Sequence, residues 1–393
     1  MIPAAPLMAD VTLLCASAGA QTRGARQRGV VVTYSTREND ASHEAMTREV
    51  IAAKLAIVKD FDYAGAYDTA SILDGPLYVV PSDTLIGIDT AERLGVRGED
   101  DLFGGVVPSA FAATKTITHP LVDANACAPN GWSHDFAQRI SDAVLHGYSA
   151  FSKSDAKRAA ARLLDHGPAR IKLARGIGGH GQFVIQESAE LDKLLAEIDE
   201  AEMASSGVVL EEHLGDVTTY SVGQVRVAGI VASYWGTQRL TRNNRGIEVY
   251  GGSDLWIVRG GFGVLRSLAP STDAQLAVAR ALVYDGAAEA CFTGFFSSRR
   301  NYDVVEGTDA RGYRRAGVLE QSWRVGGASA AEVEALLAFR NDPSLNTVKA
   351  STVEVYGASP ALPSNAVVFF AGVDQRVGPV THYAVVDAHG DVR

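Results

Sequence analysis

The sequence predicts a protein of mixed α/β and α+β class, with a small N-terminal α/β domain followed by α+β subdomains. Three observations predict it. Short apolar strands alternate with helical patterns up to about residue 118; a lysine-bearing strand then runs through a glycine-rich turn directly into another strand; and beyond residue 208 long alternating segments take over. At 393 residues, with 47% hydrophobic and 21% charged side chains, the chain has material for more than one core, since single cores rarely grow past ~250–300 residues.

Residues 1–28 read as a flexible leader. The apolar run Leu7 to Ala20 lacks a basic start and carries Asp10, unlike a signal peptide. The N-terminal α/β domain, 29–118, begins with the strand GVVVTYS, Gly29 to Ser35, and a helical pattern from Ser42 to Val58. A second strand, Pro76 to Ser82, precedes a glycine-rich DLFGGVVPSAF that leads to Lys115. Residues 119–134, rich in Pro, Asn, Gly and His, read as a loop opening a small subdomain, 119–207. Within it Ser152 and Asp155 resemble a capping box, and Gly167-Pro168 ends that helix. The strand ARIKLA follows, RGIGGHGQ turns into the strand FVIQ, and Ser188 caps a helix running to about Met203.

The larger subdomain, 208–350, starts with the strand VVLEEHL. VTTYSVGQVRVAGIVASYWGTQRL and EVYGGSDLWIVRG, separated by the turn-forming RNNRG, read as antiparallel strands. Thr272 with Gln275 opens a helix ending near Ala290, a strand pair crosses the turn TDARG, and Ser329 with Glu332 opens a short helix. Residues 351–393, with the strand-like TVEVYG and VVFFAGV, form a β-rich tail with a packing role.

A formal charge of −10 disfavours nucleic acid and anionic membrane surfaces as partners, because neutralising phosphates needs a basic face. No stretch approaches the ~18–20 apolar residues of a membrane span. The 3 cysteines, Cys15, Cys127 and Cys291, are widely spaced, which fits a reducing, cytoplasmic setting rather than a disulfide framework. The histidines form no HxH or HExxH pattern and no GxSxG is present, excluding zinc-hydrolase and serine-nucleophile readings.

Chemistry concentrates in three places. In Arg170 to Ile185, Lys172 lies in a short strand ahead of Gly176, Gly178, Gly179 and Gly181; an ammonium and Cβ-free backbone amides suit nucleotide phosphates. His180 inside that loop either contacts phosphate or is simply exposed. GxxxxGK[ST] is absent and no helix starts after the glycines, so neither a P-loop nor a dinucleotide fingerprint is present. In Val208 to Leu214, adjacent Glu211 and Glu212 point to opposite faces of a strand, so one faces a cleft. A carboxylate there can accept from ribose hydroxyls, and the backbone leaving the strand through Leu214 can read an adenine edge. In Ser297 to Gly327, a hairpin turning near Asp309 to Gly312 brings Glu320 back towards Asp303, with Asn301 and Glu306 as alternative partners. Convergent oxygen ligands suit Mg2+, and Arg324 just beyond suits a transferred phosphoryl group.

The order of these features resembles the ATP-grasp superfamily. Lys115 in SAFAATKTITH would match the first lysine, Lys172 the second and Glu211 the adenine hinge, with Asp303 and Glu320 as metal ligands and Arg324 as the terminal arginine. Ser322 stands where the superfamily usually has Asn, a weaker ligand that puts a second Mg2+ in question. SVGQV, YGGSDL, RRNYD and LEQSWRVGGAS are similar to an uncharacterised bacterial family of that superfamily, of the DUF3182 kind.

The resemblance implies an ATP-grasp fold with a pre-ATP-grasp-like N-terminal domain, ATP with Mg2+ or alternatively Mn2+, and a small carboxylate-containing substrate activated as an acylphosphate for attack by an amine or other nucleophile. Tyr34, Ser35, Arg37, Arg299 and Arg300 are candidates for holding that substrate. Many relatives are homodimers. Two other functions compete: phosphoryl transfer without ligation, and an ATP-binding regulatory protein without turnover.

Overall fold

The valines at 30 to 32 make the first strand, β1 (Val30–Tyr34), and Ser42 starts the first helix, α1 (His43–Lys59), by accepting from Ala45 N. The computed structural model of the chain describes residues 28–36, 42–69, 75–174, 181–357 and 360–387. Arg37, Gly178, Gly179, His180 and nearly all of the leader lie outside them. β2 (Asp62–Ala66) and β3 (Leu77–Pro81) flank β1 in a parallel sheet of order β2-β1-β3. β4 (Leu85–Ile86), α2 (Ile88–Arg93) and β5 (Gly105–Val107) follow, then two 3-10 turns, Ala110–Ala113 and Lys115–Thr118, and α3 (His134–Arg139).

The small subdomain is a sheet of order β6-β9-β7-β8, every pair antiparallel, so the strand at 208–212, expected to open the larger subdomain, instead pairs between β6 and β7 here. It comprises β6 (Gly147–Ala150), α4 (Lys153–Leu164), β7 (Ala169–Leu173), β8 (Gln182–Ile185), α5 (Ser188–Ala196), α6 (Glu200–Ser206) and β9 (Val208–Glu212). Strand alternation assigns the two faces. Ala169, Ile171, Val208 and Leu210 join Leu163 of α4 and Leu191 of α5 in a core, which leaves Lys172 and Glu211 on the opposite face.

The large sheet has 8 strands in the order β15-β14-β10-β11-β12-β16-β18-β17. Its elements are β10 (Gly215–Val227), β11 (Ile230–Arg242), β12 (Glu248–Arg259), α7 (Phe262–Leu268), α8 (Thr272–Cys291), β13 (Phe296–Ser297), β14 (Arg299–Thr308), β15 (Arg314–Ser322), α9 (Ser329–Asn341), β16 (Thr347–Tyr356), β17 (Ala366–Asp374) and β18 (Gly378–Asp387). β10 and β11 join through Ala228 and Gly229 at φ 52° and 77°, the positive-φ pair of a tight hairpin. One face packs Val222, Tyr302 and Val304 against Tyr284 of α8. The other packs Val225, Tyr234 and Ile257 against Leu336 and Phe339 of α9 and Leu55 of α1. Further along that second face the side chains turn polar, and there Asp303 and Glu320 lie.

Several expected helix starts shift by one residue. Glu187, not Ser188, caps α5, because Glu190 reaches back to the backbone N–H groups of Gln186 and Glu187. The helix expected to reach Met203 is split, with Asp199 capping α6 by accepting from Ala201 and Glu202 N–H. Ser271 rather than Thr272 caps α8. Glu332 caps nothing: it is buried on Arg299. The tail adds β18, unread in the sequence, and β16 straddles residue 351 so that it continues the large sheet. No described helix is long and apolar enough to cross a membrane.

Candidate functional site

Two polar faces meet around the turn Lys115–Thr118, which touches β15 on one side and β6 and β9 on the other. On the small sheet, Lys172 Nζ lies 2.6 Å from Glu211 Oε1, with both side chains essentially buried. On the large sheet, Lys115 Nζ lies 2.6 Å from Glu320 Oε2. The β14–β15 register pairs Asp303 directly with Glu320 and Asn301 with Ser322. The hairpin turn is set by Asp309, whose Oδ1 accepts from the N–H groups of Arg311 and Tyr313.

The electrostatics join the two faces. Burial lowers the Lys172 pKa, opposed by Glu211 and Glu320, while the Lys115 charge lowers it further. Burial alone raises Glu211, yet Lys172 and His119 outweigh it and hold the carboxyl down to about 2. Burial likewise works against Glu320, but Lys115, Lys172 and Arg324 keep its pKa lowered. Asp303 moves the other way, pushed up to about 6 by burial and by the Glu320 charge.

Around Asp303 runs a hydrogen-bonded row. Asn301 Nδ2 donates to Asp303 Oδ1 at 2.9 Å, Ser221 Oγ donates to the same oxygen at 3.4 Å, and Gln238 Nε2 donates to Ser221 Oγ at 2.9 Å. Two carboxylates held side by side, one raised by its neighbour's charge, form a hard-oxygen donor set that a divalent cation relieves; the residues fit Mg2+. Among the described residues no group of three or more His, Cys, Asp or Glu side chains gathers for a metal.

The other expected residues divide. Glu306 ion-pairs with Arg314 and, by alternation, lies on the opposite side of β14 from Asp303. Ser322 Oγ accepts from Arg299 Nη1 at 3.2 Å. Glu212 Oε1 accepts from His146 N at 3.0 Å, on the face away from Lys172. Leu214 is buried against Leu145 and Val305. Gly181 takes φ +72°, and its carbonyl accepts from Leu173 N.

Arg324 Nε lies 3.9 Å from Asp83 Oδ1, where the loop after β3 meets Thr36 beyond β1: Thr36 Oγ1 donates to Asp83 Oδ2 at 3.1 Å. Tyr34 packs edge-on to Tyr67 with ring centroids 6.3 Å apart. The expectation of substrate arginines at 299 and 300 meets two guanidinium groups already committed. Arg299, 1% exposed, ion-pairs with Glu332 at 2.8 Å and donates to the Ser322 and Arg324 carbonyls. Arg300 pairs with Asp285, Glu289 and Glu99. Both serve as internal ties.

Four residues beside the candidate site escaped the sequence reading as site residues: His119, Asp83, Ser221 and Gln238. Strand alternation in SVGQV and WGTQRL was the available signal for Ser221 and Gln238; His119 and Asp83 depend on loops whose course the sequence leaves open.

In comparison with solved structures, the chain is similar to the biotin carboxylase domain of 2-oxoglutarate carboxylase from Hydrogenobacter thermophilus, solved with MgADP, ADP and bicarbonate. The TM-score is 0.52 at 11% identity, covering 92% of this chain and 86% of that one. Biotin carboxylase from Campylobacter jejuni gives a TM-score of 0.51 at 10% identity, covering 92% and 87%. Phosphoribosylamine–glycine ligase from Thermotoga maritima gives 0.47 at 14%, covering 92% and 93%. The fold is that of the ATP-grasp superfamily. The chain belongs to the family described as "Protein of unknown function (DUF3182)", matched over residues 31–384. No curated protein matches the sequence.

Proposed function

We propose that the protein is an ATP- and Mg2+-dependent ligase that activates a carboxylate as an acylphosphate for attack by an amine or other nucleophile. The observation that carries the reading is the pair of ammonium–carboxylate contacts, the fully buried Lys172–Glu211 and Lys115–Glu320 with its half-buried carboxylate, on two faces whose charges act on each other. In this reading ATP lies between the faces. The two ammonium groups, each oriented by a carboxylate, face the phosphate oxygens with N–H donors. Asp303 and Glu320 hold Mg2+, which when bound supplies charge neutralisation on the phosphates.

A substrate carboxylate oxygen attacks the γ-phosphorus as the bond to the ADP oxygen breaks. The nucleophile then attacks the acyl carbon, phosphate leaves, and an amine nucleophile loses its proton to solvent. Arg324 faces developing phosphoryl charge, and it stands next to Asp83 and Thr36, at the carboxyl ends of the N-terminal strands where α/β sheets receive ligands. The two biotin carboxylases among the structural neighbours, one solved with MgADP and the other with a bound ATP ligand, support placing a nucleotide in this cleft. Calorimetry of Mg·ATP binding, followed by ADP and phosphate release against amino acids, peptides and small diacids, tests it. ADP formation that requires both an acid and a nucleophile supports the ligase. A stable phosphorylated product points to phosphotransfer, and binding without turnover to a regulatory role.

A further inference from the structure

The segment that carries Lys115 also delivers His119, four residues on and 0% exposed. His119 Nε2 lies 3.1 Å from Glu211 Oε2, while the other Glu211 oxygen takes Lys172 at 2.6 Å. His119 Nδ1 is buried without a hydrogen-bond partner. The ring lies against Gly147, where an added Cβ would stand 2.9 Å from Nδ1 and 2.7 Å from Leu210 O. The segment is fastened to both halves of the cleft. Ser149 Oγ of β6 donates to Thr116 O at 2.5 Å, Thr118 Oγ1 lies 3.2 Å from Tyr284 OH of α8, and Lys115 reaches Glu320 of β15.

We infer that His119 is a positioning residue for Lys172, acting through Glu211, and that Lys115 to His119 form one strap setting both lysines from a single stretch of backbone; this rests on the nucleotide reading of the cleft. A carboxylate has two oxygens. With no second donor, a buried ammonium is gripped by both, and fewer of its N–H groups face a ligand. His119 occupies Oε2, confines Lys172 to Oε1 and so fixes the plane of the carboxylate. Glu211 is ionised and accepts only, so the proton of this contact sits on His119 Nε2, while Nδ1 is buried without a partner. An apolar ring would avoid that buried unpaired atom. The imidazole differs from such a ring by its Nε2 donor.

The test uses the full chain and Mg·ATP, with dissociation constants measured calorimetrically for wild type, His119→Gln, His119→Asn, His119→Phe and Lys172→Ala. Glutamine places its amide nitrogen where Nε2 stands and asparagine where Nδ1 stands, so only the first restores the donor to Glu211. His119→Gln is expected within threefold of wild type, and both His119→Asn and His119→Phe weaker by about tenfold or more, the scale of a charge-assisted hydrogen bond. Equal losses in Gln and Asn, or wild-type affinity in Asn and Phe, overturn the inference while Lys172→Ala still reports on the cleft. Wild-type protein that does not bind Mg·ATP, or Lys172→Ala that binds unchanged, overturns the reading of the cleft and the inference together.

Discussion

At Lys172, burial works against the ammonium and Glu211 works for it, so either residue alone is an uncompensated charge in a dry place. Replacing Lys172 by Ala is expected to destabilise the protein by about 3–5 kcal/mol, the usual cost of orphaning a buried ion. The double change Lys172→Met with Glu211→Gln should recover most of that stability in urea titrations without recovering Mg·ATP binding. Recovery of both would make the pair a structural tie with no share in the ligand site. The sequence showed that Lys172 sits in a strand ahead of glycines and that one of Glu211 and Glu212 faces a cleft. It left open which one, because that depends on whether α4 and α5 cover the even or the odd positions of β9, a tertiary fact.

Among the elements, α9 shows how a correct local signal acquires a different use. Ser329 with Glu332 has the spacing of a capping box, yet Ser329 Oγ accepts from Gly326 N and Glu332 turns inward. There it accepts from Arg299, and from Tyr234 OH at 2.5 Å. The attraction of a buried guanidinium outweighs an exposed cap worth ~1 kcal/mol. Arg299 in turn holds the Ser322 and Arg324 carbonyls, so this ion pair sets the end of β15 that carries the Glu320 region. Glu332→Gln is expected to lower stability by about 3–5 kcal/mol. A combined Arg299→Met and Glu332→Leu should restore much of it, measured by chemical denaturation. A single-variant loss below 1 kcal/mol would contradict this role.

Across the whole molecule, the C-terminal strands close the fold onto the N-terminal domain. Asp374, at the end of β17, accepts from the His43 backbone N–H at 2.8 Å and from its ring at 3.1 Å, fastening the start of α1. On β16 nearby, Glu354 accepts from Tyr356 OH at 3.3 Å. Its pKa is raised by burial, against the opposing pull of His43, from 4.5 to about 7. Between those values the folded state keeps a proton that the unfolded chain has lost. The contribution of Glu354 to stability is therefore full below pH 4.5 and declines as pH rises through 7. Glu354→Gln should accordingly gain on wild type between pH 4.5 and pH 8 by up to about 3 kcal/mol in urea midpoints. A difference that does not change with pH would remove Glu354 from this account.

The α/β start, the β14–β15 hairpin and the strand after the glycines were legible because each rests on local periodicity and turn chemistry. The single eight-stranded sheet was not, since β16 to β18 join it through pairings far apart in sequence. The same limit hid His119 and Asp83, whose partners Glu211 and Arg324 are brought in by the fold rather than by spacing.

Mg·ATP binding measured by calorimetry on wild type and on Glu320→Gln bears most directly on the central claim, that the two lysine–carboxylate faces enclose a nucleotide. The account predicts binding by wild type that Mg2+ strengthens, and an affinity at least about tenfold weaker in Glu320→Gln, where the paired carboxylates no longer both carry charge. Wild-type protein that shows no binding at millimolar nucleotide, or a Glu320→Gln variant that binds Mg·ATP as wild type does, would contradict it.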